Sequence, residues 1–155
     1  MTNNDILRKI RYAFDFSDSK MIEIFALADY KVTKADVSGW LKREDDEGYK
    51  SLHDLKFAIF LNGLITDRRG KKDGPQPKPE KTLTNNIIFR KLKIALNLTD
   101  TDIIEIYNLV DMNVSKHELS ALFRKPTQSQ YRLCKDQFLR NFLYGMQLKY
   151  RKKGK

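Results

Sequence analysis

The sequence predicts an all-α protein made of two homologous four-helix domains in tandem, each containing a helix-turn-helix-like element. Three observations carry that prediction. The chain repeats itself at a constant offset of 82 residues, the distance from Thr2 to Thr84. Apolar residues recur at helical spacing in both copies, and no stretch alternates with the period of two that a strand requires.

The repeat never slips register. Thr2, Asn3 and Asn4 meet Thr84, Asn85 and Asn86, and Arg8 and Lys9 meet Arg90 and Lys91. Ile22, Glu23 and Ile24 meet Ile104, Glu105 and Ile106; Asp29 and Val32 meet Asp111 and Val114. Phe60, Leu61 and Gly63 meet Phe142, Leu143 and Gly145. Copy one therefore takes residues 1–69 and copy two 83–150, with a linker at 70–82 and a basic tail at 151–155.

The first helix of each copy opens at Thr2 or Thr84, a hydroxyl able to accept from an early helical N–H. Asp5 completes a capping box in copy one, while copy two has Ile87 there. Ile6, Ile10, Ala13 and Phe14 then fall on one face, as do Ile88, Leu92, Ala95 and Leu96. Ser17 or Thr99 caps a second helix that is apolar on several sides and so belongs at the centre of the bundle. Thr33 or Ser115 caps a third. A fourth is expected over about Ser51–Thr66 and Leu133–Lys149.

Between the copies "GKKDGPQPKPEKT" carries three prolines and two glycines, the composition of a partly extended linker. Net charge is +10, unevenly spread. Residues 1–69 balance 12 basic against 12 acidic side chains, whereas residues 84–155 hold 14 against 6. Basic character thus belongs to the second half. No apolar run reaches the roughly 20 residues that span a bilayer, and Arg8, Lys9 and Arg11 interrupt any signal-peptide core. The single cysteine, Cys134, rules out an internal disulfide. A soluble protein of the reducing cytoplasm is expected, with no membrane partner.

"LADYKVTKADVSGWL" (27–41) and "LVDMNVSKHELSALF" (109–123) fit the requirements of a helix-turn-helix. The second helix of copy one is expected to end near Tyr30, with a left-handed residue following at Lys31, or at Asn113 in copy two. The phrase resembles the opening of the repressor-type recognition helix. On that resemblance Thr33, Lys34 and Ser38, with Ser115, Lys116 and Ser120, would face a major groove. Arg124, Lys125 and Arg132 would lie near phosphates. The linker would let the two helices address successive grooves. Asp36 and Glu118 place a carboxylate in each reading face, and "EDDE" (44–47) would repel a phosphate backbone. Copy two has "PTQSQ" instead and is the better candidate reader. Candidate partners are DNA or RNA. The alternative is a protein-interaction module that engages a protein partner or a second copy of the chain, because the same geometry also serves simply to pack helices.

Other repeated polar residues suggest structure. Arg8 with Glu23 or Asp29, and Arg90 with Glu105 or Asp111, are expected to form partly buried ion pairs between the first and second helices. The paired asparagines are expected to cap locally. Gly63 and Gly145 imply close helix contact, since an interior glycine costs about 1 kcal/mol against alanine. Leu55, Lys56 and Ile59 become Gln137, Phe138 and Asn141, so the fourth helices should present different outer faces.

Nothing points to catalysis. His53 and His117 sit at non-equivalent positions, and no metal-ligand spacing, phosphate loop or serine elbow occurs. Cys134 has no activating base in the pattern. A non-enzymatic protein without metal, cofactor or small-molecule substrate is expected.

"TNN…LRKIRYAFDFSD…IIEIF" and "TNN…FRKLKIALNLTD…IIEIY" together resemble the YehS-like family of bacterial proteins. That resemblance implies a tandem helical domain of unknown function and a cytoplasmic location. It supplies no functional residues to carry over.

Overall fold

The computed structural model describes residues 1–151. Among them are eight helices and no strand: α1 Asn3–Phe14, α2 Asp18–Leu27, α3 Lys34–Leu41, α4 Asp54–Arg69, α5 Asn85–Ala95, α6 Asp100–Asn108, α7 Lys116–Leu122 and α8 Asp136–Tyr150. Copy one is α1–α4 and copy two α5–α8. The expected basic tail beyond Arg151 lies outside the described residues.

Six helices start on a hydroxyl cap. Thr2 accepts from the Asp5 N–H at 3.0 Å and Asp5 accepts back from the Thr2 N–H at 2.9 Å. Thr84 caps alone, as Ile87 predicts. Thr33 with Asp36, Thr99 with Asp102 and Ser115 with Glu118 form complete boxes. The Thr33 N–H, then Lys50, hold the Asp36 carboxyl below the ordinary value of 3.8; the Thr99 N–H does the same for Asp102. Because the folded values are depressed, this stabilisation is present above the unfolded value and lost as pH falls below it. Urea midpoints are expected to drop in acid, and the drop should be smaller in Asp36→Asn with Asp102→Asn.

α2 and α6 end earlier than expected, and the left-handed residue is neither Lys31 nor Asn113. It is Asp29 (φ 58°) and Asp111 (φ 59°). Tyr30 N–H reaches Phe25 O and Asp29 N–H reaches Ala26 O; Met112 and Asp111 repeat this on Tyr107 and Asn108. These are Schellman closures, in which a short polar side chain tolerates the left-handed turn that a lysine resists. Asp15 and Asn97, and Gly48 and Gln130, are further left-handed pairs at the same 82-residue offset.

Gly63 lets α4 touch α2: a Cβ there would lie 2.0 Å from Ile24 O. Gly145 does the same between α8 and α6, at 2.5 Å from Ile106 O. Each copy closes on aromatic rings, Phe25 with Trp40 and Phe60, and Phe142 with Phe89 and Tyr107. Phe138 turns inward onto Tyr107, centroids 4.6 Å apart, rather than forming an outer face. Its counterpart Lys56 instead lies over Trp40, and Trp40 becomes Leu122 in copy two. Aromatic bulk has moved from the third helix to the fourth.

The copies dock by equivalent helices. α1 packs on α8 and α5 packs on α4, while α1 also meets α4 and α5 meets α8, closing a ring of four. Shifting by 82 residues exchanges the two inter-copy pairs, so they are related by a pseudo-two-fold. Polar contacts obey it too. The Leu83 N–H donates to Asp54 at 2.9 Å, and the Met1 ammonium donates to Asp136 at 3.4 Å.

Candidate functional site

The hydroxyls read as groove-facing, Thr33 and Ser115, are engaged as helix caps, and Asp36 and Glu118 fold back onto those caps. Lys34, Ser38, Lys116 and Ser120 are exposed on α3 and α7. Both helices are short, at 8 and 7 residues, or about two turns. Packed helices, not linker length, set their spacing.

Behind each third helix a loop returns along its end. Lys50 N–H donates to Gly39 O, and Arg132 N–H donates to Ala121 O. In copy one Lys50 pairs with Asp36 at 3.2 Å and Lys42 Nζ donates to the Glu47 backbone carbonyl at 2.8 Å, while Lys34 and Arg43 are exposed without an ion pair to a described carboxylate. In copy two Lys116, Lys125 and Arg132 are exposed, and none forms an ion pair with a described carboxylate. Arg124 departs from the expected set. It is half-buried and lines a cleft between the copies, with its Nε out of solvent and without an acceptor among the described residues.

The expected ion pairs between first and second helices are replaced by other bonds. Arg8 pairs with Asp5 and donates to Lys42 O at 2.9 Å. Arg90 donates to Phe123 O at 3.0 Å. Glu23 pairs with Lys20, Glu105 is exposed, and Asp29 and Asp111 are turn residues. The carbonyls that end a helix lack internal partners, and these arginines supply donors to them.

The asparagines are long-range clamps rather than local caps. Asn4 Nδ2 donates to Trp40 O and Lys50 O, and its Oδ1 accepts from the Leu52 N–H and Tyr49 Oη. Asn86 repeats this on Leu122 O, Arg132 O and the Cys134 N–H. Asn3 and Asn85 hold Leu52 O and Cys134 O. Clamped this way, each segment stays extended, which is why α4 and α8 begin only at Asp54 and Asp136. The signal was the recurrence of two adjacent asparagines where one cap sufficed.

The cleft between α4 and α5 has a volume of about 810 Å³. Ile65, Ile87 and Ile94 wall it, Arg69, Arg90 and Arg124 border it, and the linker crosses it at Gln76, Pro77 and Glu80. Lys91, only 8% exposed, sits in it with Nζ 2.6 Å from Asn62 Oδ1 and 3.0 Å from Glu80 Oε1. Cys134 lies elsewhere, under the asparagine clamp, where burial pushes its thiol up to about 12. Among the described residues no cluster of three metal-ligating side chains occurs, and no helix is long and apolar enough to cross a membrane.

Comparison with known proteins agrees with this duplicated architecture. Over 147 residues, 94% of each chain, the sequence is 40% identical to the Escherichia coli (strain K12) protein called "Uncharacterized protein YehS". No solved structure matches. The family described as "Protein of unknown function (DUF1456)" matches twice, over residues 3–70 and 85–152, one match on each helix quartet, and the chain belongs to that family.

Proposed function

We propose that this is a non-enzymatic cytoplasmic regulatory protein that binds nucleic acid through copy two, at the surface formed by α7 and the loop behind it. One observation carries the reading. Lys34 and Arg43 in copy one are exposed and without described carboxylate partners, as their counterparts Lys116 and Lys125 are. But copy one sets Asp36 against Lys50 and adds the acidic loop 44–47, whereas copy two leaves Arg132 without a described carboxylate partner and has no acidic loop. Unpaired cations on one face are the electrostatic footprint of a phosphate backbone. Ser115 and Glu118 fix the start of α7, so Lys116 and Ser120 project from a defined turn.

Fluorescence anisotropy with labelled duplex DNA and with RNA tests this. Affinity is expected to fall steeply with salt, with a log–log slope of about 0.9 per neutralised phosphate on duplex DNA. Lys116→Glu with Arg132→Glu should weaken binding by about tenfold or more, and Lys34→Glu with Arg43→Glu far less. Absence of binding at low salt, indifference to salt, or the reverse order of the variants contradicts the reading.

A second reading, a protein-interaction module, draws support from Leu109 and Leu133, which are 50% and 68% exposed. It predicts capture of one defined protein partner that survives nuclease treatment and is lost in Leu133→Asp.

A further inference from the structure

We infer that the cleft between α4 and α5 binds a small amphipathic anion, a carboxylate or phosphate head on an apolar body. The inference is independent of the nucleic-acid reading and uses a different part of the molecule.

The duplication supplies an internal control. The pseudo-two-fold generates a second groove, between α1 and α8, on an equivalent scaffold. There, Asp5 and Tyr12 stand where the cleft has Ile87 and Ile94, and Gln147 stands in place of Ile65. That groove meets part of its polar demand internally, although Arg11 Nε there is buried without an acceptor among the described residues, as Arg124 Nε is in the cleft. Asp5 pairs with Arg8, and Arg151 lies 3.8 Å over the Tyr12 ring while its Nη1 donates to Tyr12 O at 2.6 Å. Since one scaffold folds with polar residues at all three positions, the three isoleucines are not a requirement of the packing between copies.

Two equivalent cations diverge in the same way, Arg8 and Arg151 being paired with Asp5 and Asp15, although Lys9, Arg43 and Arg140 in that groove form no ion pair with a described carboxylate either. Arg69 is the counterpart of Arg151 and Arg90 of Arg8. In the cleft, neither these two nor Arg124 forms an ion pair with a described carboxylate. The one carboxylate present, Glu80, is held by Lys91. Arg124 Nε is shielded from water without an acceptor, which is costly for a buried donor. Ile94 is 45% exposed beside these groups. Guanidinium forks match the two oxygens of a carboxylate or phosphate, and an isoleucine wall matches a hydrocarbon. A volume of about 810 Å³ is that of a site for a whole small molecule. The linker crossing the opening favours a free molecule over a lipid still seated in a bilayer.

Isothermal titration of the full chain tests this with dodecanoate below its micelle concentration, dodecyltrimethylammonium, inorganic phosphate and phosphatidylglycerol vesicles. Dodecanoate is expected to saturate one site. The cationic amphiphile and inorganic phosphate should each bind about tenfold more weakly or worse. Arg69→Gln and Ile94→Glu, both at exposed positions, should each weaken dodecanoate by about tenfold, while Tyr12→Ile in the other groove leaves it unchanged. Equal binding of the two amphiphiles, phosphate as tight as dodecanoate, no saturation, or indifference to both variants overturns the proposal. Binding to vesicles without binding of monomeric dodecanoate overturns it in favour of a membrane surface. The comparison among probes uses the unaltered protein, so it decides the matter even if a variant fails to fold.

Discussion

Gly63→Ala is expected to destabilise the protein by about 3 kcal/mol, at the upper end of overpacking penalties. The new Cβ would sit 2.0 Å from Ile24 O and 2.9 Å from Ile24 C. Both are backbone atoms inside α2, so no rotamer change relieves the clash, and the helices must part. Alanine's better helix propensity returns only about 1 kcal/mol. Parting α2 from α4 also loosens Phe25 against Phe60, whose centroids are 5.2 Å apart. Gly145→Ala should cost less, because its Cβ would meet Ile106 O at 2.5 Å. Urea unfolding checks both, with the midpoint falling at constant slope. A neutral Gly63→Ala would show that α2 and α4 do not approach this closely.

Asn4→Ala and Asn86→Ala are expected to cost still more, about 4 kcal/mol each, because several buried polar groups lose their partners at about 1–3 kcal/mol apiece. Removing Asn4 strands Trp40 O, Lys50 O and the Leu52 N–H together. Asn4→Asp is no remedy: an ionised carboxylate still accepts from Leu52 but faces two carbonyl oxygens with no proton to offer. Asn3→Ala should be milder, since Asn3 is only partly buried. Amide exchange gives the sharper readout. Protection at Leu52 should collapse in Asn4→Ala, and at Cys134 in Asn86→Ala. Retention of that protection would show that the segment before the fourth helix is held by something else.

Much of this fold was legible in the residues, because duplication prints the same requirement twice. Thr2 and Thr84, or Gly63 and Gly145, are each weak signals alone, and recurrence at one offset makes them strong. The misplaced left-handed turn shows the limit. Lys31 and Asn113 were read from the assumption that the second helix runs to Tyr30, but aspartate also tolerates that conformation, and the chain turns two residues sooner. The asparagine clamps were missed because the backbone groups they hold lie 36 to 49 residues away, beyond any local pattern. Arg8 and Arg90 were given carboxylate partners because charge suggests charge, yet helix-end carbonyls compete for the same donors. The cleft left no mark in either copy read alone. It exists only where α4 meets α5, and its isoleucines stand out only against Asp5, Tyr12 and Gln147 in the other groove.

That meeting of the copies is the claim on which the cleft depends. Amide exchange measured residue by residue on Gly63→Ala tests it most directly. If α1 with α8 and α4 with α5 form one closed ring, a lesion confined to copy one must lower protection in α5, α6 and α8 as well as in α2 and α4. Unchanged protection throughout copy two would mean that two independent domains share only a linker, and would contradict the account.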